Sequence, residues 1–362
     1  MPKHLKVRST AAGSLVLAVA LAGLALSTAG SKSVSEPLAQ PSVTSAPGAP
    51  TQPGEFSPAM IQAAYGLSTS PYAGVGQTIA IVDAFDNPNV ANDLTAFDTY
   101  WGLPACNACL TKVDQNGGTD YPSQAPFAWS IEIALDVEWA HAIAPDAQIL
   151  LVEAANSSTT NLLAAEQYAG AHAGYVSNSW GFPEFSGETA DASFFSDPGV
   201  SYFAAVDDAP DQTQYPATDP SVVSIGADQL TATGPVPGTG GGGCSAYEPA
   251  SSAFALVASQ AGCSDNQSTP EVSADVVGIP VFDAASGWLD TGGTSFATAL
   301  WAAAAADSGQ LVTNATIASG SIPLHPVTAG TLLRTGLGGL TAIPVSFSEQ
   351  ASLDFAQIGI TI

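Results

Sequence analysis

"FAWSIEIALDVEWAHAIAPDAQILLVEA", residues 127–154, decides the fold. Its first part predicts an amphipathic helix over about 126–143, and Gln148–Glu153 predicts a strand that is apolar along its length. Working outward, Gln77–Asp83, Gly174–Gly181, Val200–Val206 and Ser221–Gly226 are further short apolar runs. Helical stretches at about 88–100 and 160–173 separate several of them. Strands that are apolar throughout and alternate with helices imply a doubly wound, mostly parallel α/β sheet with helices on both faces.

The same stretch poses a chemical question. Glu132 and Asp136 are four apart, so they share one helix face, one turn from each other. Like charges at that spacing weaken a free helix. Two readings compete: a solvated face, or a coupled carboxyl pair in which one acid holds a proton while the other accepts one. A second stretch, "TGGTSFATAL" at 291–300, presents Ser295 behind Gly292, Gly293 and Thr294 at a helix start, as a nucleophile would be presented. Such a serine needs a base. None of the four histidines, His4, His141, His172 and His325, lies in a glycine-rich setting that would bring imidazole to a serine, so a Ser-His-Asp triad is poorly supported. The carboxyl pair is the candidate base.

Composition agrees. Six Lys+Arg stand against 32 Asp+Glu, yet charged residues total only 10%. What is missing is the basic residues. In acid, carboxylates neutralise while Lys and Arg would stay charged and repel, so their scarcity suits work at low pH. A carboxyl base also suits acid, where histidine would already be protonated. With no basic patch, nucleic acid is not an expected partner. The glycine run 238–243 is followed by no Lys, so it reads as a loop and not a phosphate cradle.

The N-terminus, residues 1–29, reads as a secretory signal: Lys3, His4, Lys6 and Arg8, then an apolar Ala11–Leu26, then small residues with cleavage before Gly30. Extracellular location, no stable membrane association after cleavage, and a monomer are expected. Residues 30–54 are rich in Ser, Pro, Ala and Gly and read as a linker or short pro-segment, with the folded domain spanning 55–362 and beginning near Phe56. An even cysteine count outside the cell implies two disulfides, and local pairing, Cys106 with Cys109 and Cys244 with Cys263, is the chosen connectivity of three.

Taken together, these stretches resemble the sedolisins, serine-carboxyl peptidases with a subtilisin-like fold that act in acid. The resemblance runs from about Phe56 to Ala304 and weakens after about 305. "SIEIALDVEWAHAIAP" is similar to the family's Glu-x-x-x-Asp helix, "TGGTSFATA" to its Gly-Thr-Ser motif, "VSNSWG" to a cleft-lining strand, and "YPATDPSVVSIGA" and "STPEVSADV" to two further segments. The resemblance implies Ser295 as nucleophile, Glu132 as its base and Asp136 as the base's partner. It implies Asp208, seven residues before Tyr215, as a protonated oxyanion donor beside the Ser295 backbone N–H. It implies Ser179, Trp180 and Gly181 as substrate-binding residues, and Asp83 as an acid supporting the carboxyl network. A true subtilisin is disfavoured, because "IAIVDAFD" is not followed by a His-Gly-Thr motif.

Three departures stand out. The family's Ser-Ser-Gly-Asp-Ser-Gly loop is Ala205-Val206-Asp207-Asp208-Ala209-Pro210 here, so Asp207 replaces a glycine that could require positive φ. The proline four residues after the nucleophile is Ala299. The family's calcium segment has Pro326 in place of an acid, so no calcium and no other cofactor is expected. The expected activity is hydrolysis of polypeptides by a secreted endopeptidase. The alternative is a peptidase-like protein that binds polypeptide without turnover.

Overall fold

The computed structural model describes residues 38–42, 44–45, 56–327 and 330–343. The signal segment, its cleavage point, most of the linker and the C-terminus after Ile343 lie outside the described residues. Among the described residues no helix is long and apolar enough to cross a membrane.

Eight strands form the central sheet: β1 (Thr78–Ala84), β2 (Leu110–Asp114), β3 (Gln148–Ala154), β4 (Tyr175–Asn178), β5 (Ser201–Ala205), β6 (Val223–Gln229), β7 (Val236–Pro237) and β8 (Val272–Asp275). Their order is β7-β6-β5-β4-β1-β3-β2, with β8 also paired to β6. All pairings are parallel except that of β7 with β6. The α/β class and the mostly parallel sheet are as the alternating pattern requires.

The sheet divides two cores. On β1, Ile79 and Ile81 point into one and Ala80, Val82 and Ala84 into the other, as the two-residue period of a strand dictates. The first core holds α1 (Val90–Trp101), α2 (Phe127–Ile143) and α4 (Thr294–Ser308); the second holds α3 (Thr159–His172). Helices α2 and α4 lie against each other, with the Trp139 and Phe296 rings edge to face at 4.7 Å. The alanines of α4 allow that close approach, and all but Asp307 of its fifteen residues are buried.

Helix α2 is not amphipathic. From Ile131 to Ile143 every residue is buried, including Glu132, Asp136, Glu138 and His141. The polar residues that made the sequence read as two-faced are inside the protein, so Glu132 and Asp136 do not form a solvated face. "VSNSWG" is also not a single strand. It breaks at Ser179, with Tyr175–Asn178 in the central sheet and Trp180–Pro183 in a small antiparallel sheet with Gln214–Tyr215 and Gln40–Pro41. That last strand comes from the stretch read as linker or pro-segment. Short backbone-paired strands in a Ser/Pro-rich segment carry no periodic apolar signal. The chain closes Cys106–Cys109 and Cys244–Cys263, the local pairing.

Candidate active site

The order of the sheet reverses at β1, whose neighbours β3 and β4 are reached by chain crossing in opposite directions. In open α/β sheets the crevice for ligands lies beyond the strand C-termini at such a switch point. Asp83 is the penultimate residue of β1, and Ser179 directly follows β4.

Glu132 and Asp136 reach the same place from α2, and Asp83 from β1. All three are fully buried. Burial, followed by the charges of Asp136 and Asp83, pushes the Glu132 pKa well up, and the nearby Ser295 hydroxyl pulls it down slightly. Burial likewise raises Asp136 to about 8, opposed by Ser179. Asp83 is raised well above the ordinary range by burial and by Asp136 and Glu153. Three carboxyls this close and this dry hold protons that an exposed acid would have lost.

Ser295 is the second residue of α4 and fully buried. Its Oγ and both oxygens of Glu132 and of Asp136 have no hydrogen-bonding partner, so the serine–carboxyl contact is close but falls short of hydrogen-bond geometry. The Ser179 hydroxyl donates to the Ser295 carbonyl at 3.4 Å. Ala299 lies inside the uninterrupted helix, where the family's proline is replaced without a break.

Asp208 approaches the same helix start. Its Oδ1 accepts from the Thr294 N–H at 2.7 Å and from the Thr294 hydroxyl at 3.2 Å. Asp207 adopts the glycine-like conformation, with φ at 86°. Its Oδ1 accepts from the N–H groups of Asp208 at 2.6 Å and Ala209 at 2.9 Å, which offsets the strain of a side chain there. The glycine run supports this loop from behind, with the Gly241 N–H donating to the Asp207 carbonyl at 2.7 Å. The altered loop thus keeps a turn that presents Asp208 to α4.

Gly293 is required where it stands. Its φ is 108°, and a Cβ would lie 2.4 Å from the Ser42 carbonyl oxygen and 2.5 Å from Asp208 Oδ2. Both oxygens therefore face the same side of this glycine.

The histidines lie elsewhere. His141 is buried, with Nε2 2.8 Å from the Pro104 carbonyl and 3.4 Å from Asp98. His172 stacks on Tyr168, and His325 Nδ1 faces the Pro326 carbonyl. Among the described residues no group of three or more His, Cys, Asp or Glu could hold a metal ion; Thr328 and Ala329 of the altered calcium segment lie outside them.

Two participants were not foreseen from the sequence. Gln214 fills the space over Gly181, and residues 38–42 and 44–45 pair with the strands on either side of Ser295. Gln214 had a signal only in its place beside the Tyr215-Pro-Ala segment.

No protein-family model matches the sequence, and no curated protein matches it. Solved structures do. A Pseudomonas sedolisin, a serine-carboxyl proteinase solved with two molecules of pseudo-iodotyrostatin, superposes with a TM-score of 0.67. The match covers 85% of this chain and 100% of that one at 21% identity. The chain has the sedolisin fold.

Proposed function

We propose that this chain is a secreted serine-carboxyl endopeptidase that hydrolyses polypeptides in acid, a member of the sedolisin family. The observation that carries the reading is the convergence of Glu132, Asp136 and Ser295 in one buried cluster, on that fold, with each described histidine engaged elsewhere.

Glu132, as its carboxylate, takes the proton of the Ser295 hydroxyl as Oγ attacks the substrate carbonyl. Asp136 and Asp83 share the remaining protons, so the cluster need not carry three charges in a dry site. The oxyanion forms against the Ser295 backbone N–H and the Asp208 carboxyl. Asp208 already accepts from Thr294 through Oδ1; its Oδ2, protonated in acid, is the donor. Collapse returns the proton from Glu132 to the leaving amine. Water then hydrolyses the acyl-enzyme by the same route in reverse.

The signal-like N-terminus and two disulfides support secretion, and the scarcity of Lys and Arg supports acid work. The test is digestion of an unfolded protein across about pH 2 to 8 by wild type and Ser295→Ala. Cleavage in acid that disappears in the variant is expected. No Ser295-dependent cleavage at any pH overturns the reading, and an optimum near neutrality overturns the carboxyl-base mechanism.

A further inference from the structure

The loop between α1 and β2 carries Cys106-Asn107-Ala108-Cys109, whose two cysteines are joined three residues apart. A ring this small restrains the unfolded chain little, because that effect grows with the length of the closed loop. The start of β2 also has its own tie: the Ile149 N–H donates to the Cys109 carbonyl at 2.7 Å. The two sulfurs are unequal. Cys109 is buried, while Cys106 is half-buried in a run whose neighbours Ala105, Asn107 and Ala108 are exposed. Ala108 stands at φ 64°, a region that residues with a Cβ rarely adopt, and opening the ring frees it to leave.

An ion pair lies against the buried sulfur. His141, near the end of α2, places Nδ1 3.6 Å from Cys109 Sγ. Its Nε2 is 2.8 Å from the Pro104 carbonyl, which can only accept, so that nitrogen carries a proton. Asp98 Oδ2, from α1, is 3.4 Å from the same nitrogen, and both Asp98 oxygens are buried without a hydrogen bond. A buried carboxylate so placed calls for a cation, and the imidazole is opposite it. Burial works against a charge on the ring, but Asp98 and the Pro104 carbonyl outweigh it and raise the His141 pKa above its ordinary 6.5. Glu138, one turn earlier on α2, is raised well above its ordinary 4.5 by burial and keeps its proton in acid. The second proton of the imidazolium is then on Nδ1, towards Cys109 Sγ. A cation against one sulfur of a Cys-x-x-Cys pair is the setting that stabilises a thiolate.

We propose that Cys106–Cys109 is a redox-active disulfide that exchanges with low-molecular-weight thiols, Cys106 being the sulfur attacked and Cys109 the leaving thiolate held by His141. The incoming thiolate bonds to Cys106 Sγ as the Cys106–Cys109 bond breaks, and the electron pair of that bond leaves on Cys109 Sγ, which accepts from His141 Nδ1. A second thiol attacks the mixed disulfide and departs with the first as a small disulfide. Two thiols are thereby oxidised to one disulfide, the protein disulfide is reduced to two thiols, and the two protons end on the cysteines. A small disulfide drives the same steps backwards and closes the ring. The inference does not depend on the peptidase reading.

The test uses the full chain with Ser295→Ala, reduced glutathione at about pH 6 as the probe, alkylation at timed intervals and peptide mapping of both disulfides. Cys244–Cys263, whose cysteines are 19 apart, is the comparison within the same molecule. Cys106–Cys109 is expected to open first, with glutathione trapped on Cys106. His141→Gln keeps a donor for the Pro104 carbonyl, and Asp98→Asn keeps the shape of the acid. Each is expected to slow that opening about tenfold and to leave Cys244–Cys263 unchanged. Opening of Cys244–Cys263 as fast or faster, glutathione trapped on Cys109, or variants that open at the parent's rate each overturns the proposal. Variants that only loosen the fold speed both bonds; the Cys109 thiol in Cys106→Ser, followed by thiolate absorbance, then decides. Ionisation well below about 8.5 upholds the site, and ionisation at or above that value overturns it.

Discussion

Glu166 gives the most direct measure of how far this fold depends on acid. It lies on α3, fully buried, with one oxygen accepting from Asn178 Nδ2 at 3.2 Å and the other without a partner. Burial raises its pKa from 4.5 to about 8, only partly opposed by Asn178. In the unfolded chain the group ionises near its ordinary value. Between the two values the unfolded state has lost the proton and the folded state keeps it. The stability it contributes is therefore complete below about pH 4.5 and fades as pH rises towards 8. Each pH unit in that window costs about 1.4 kcal/mol, so a rise from about pH 5 to 7 costs about 3 kcal/mol from this residue alone. Glu166→Gln keeps an acceptor for Asn178 and has no proton to lose. Urea unfolding at both pH values, in a Ser295→Ala background to suppress self-digestion, is expected to show the Glu166→Gln protein losing about 3 kcal/mol less than its parent on the alkaline step. Equal losses, or a parent that is more stable at the higher pH, would refute the reasoning. Glu153 and Glu188, raised by burial to about 8, and Asp228 and Glu248, raised to about 7, all act in the same direction.

Two further changes probe the cleft. Gly293→Ala places a methyl against the Ser42 carbonyl and Asp208 at a φ that side chains rarely adopt; turnover is expected to fall about 100-fold with the circular dichroism spectrum unchanged. Gln214→Ala unplugs the pocket beside Gly181. In a peptide-library digest it should shift the preferred residue before the cut from small to large side chains by about tenfold, and an unchanged preference would show that Gln214 does not set the pocket.

The central sheet was legible because parallel strands covered on both faces are apolar throughout, as Ile79–Val82 and Ile149–Val152 are. The residues of the candidate site were legible because their types and spacing are distinctive: two acids one turn apart on a helix, and a serine behind glycines. What could not be read was burial of polar groups. Glu132, Asp136, Glu138 and His141 gave α2 an apparent polar face, since periodicity records residue type and not the packing of α1 and α4 around it. The conformation of Asp207 was posed as a question by the lost glycine and is answered by a turn that its own side chain closes. The short strands Gln40–Pro41 and Thr44–Ser45 were invisible because backbone atoms hold them, and every residue except proline offers the same backbone donor and acceptor.

Those two strands also change what a binding experiment on the intact chain reports. Ser45 is joined to the folded domain at Phe56 through residues 46–55, so the cleft faces a tethered ligand and not a dilute one. Short tethers of this kind hold a ligand at an effective concentration of about a millimolar. A soluble peptide must outcompete it, and its apparent Kd on the intact chain is weakened by the ratio of that concentration to the strand's own intrinsic dissociation constant. A chain that begins after Ser45 offers the same peptide a cleft without that internal competitor, and the affinity gained between the two forms measures how tightly residues 38–42 and 44–45 are held.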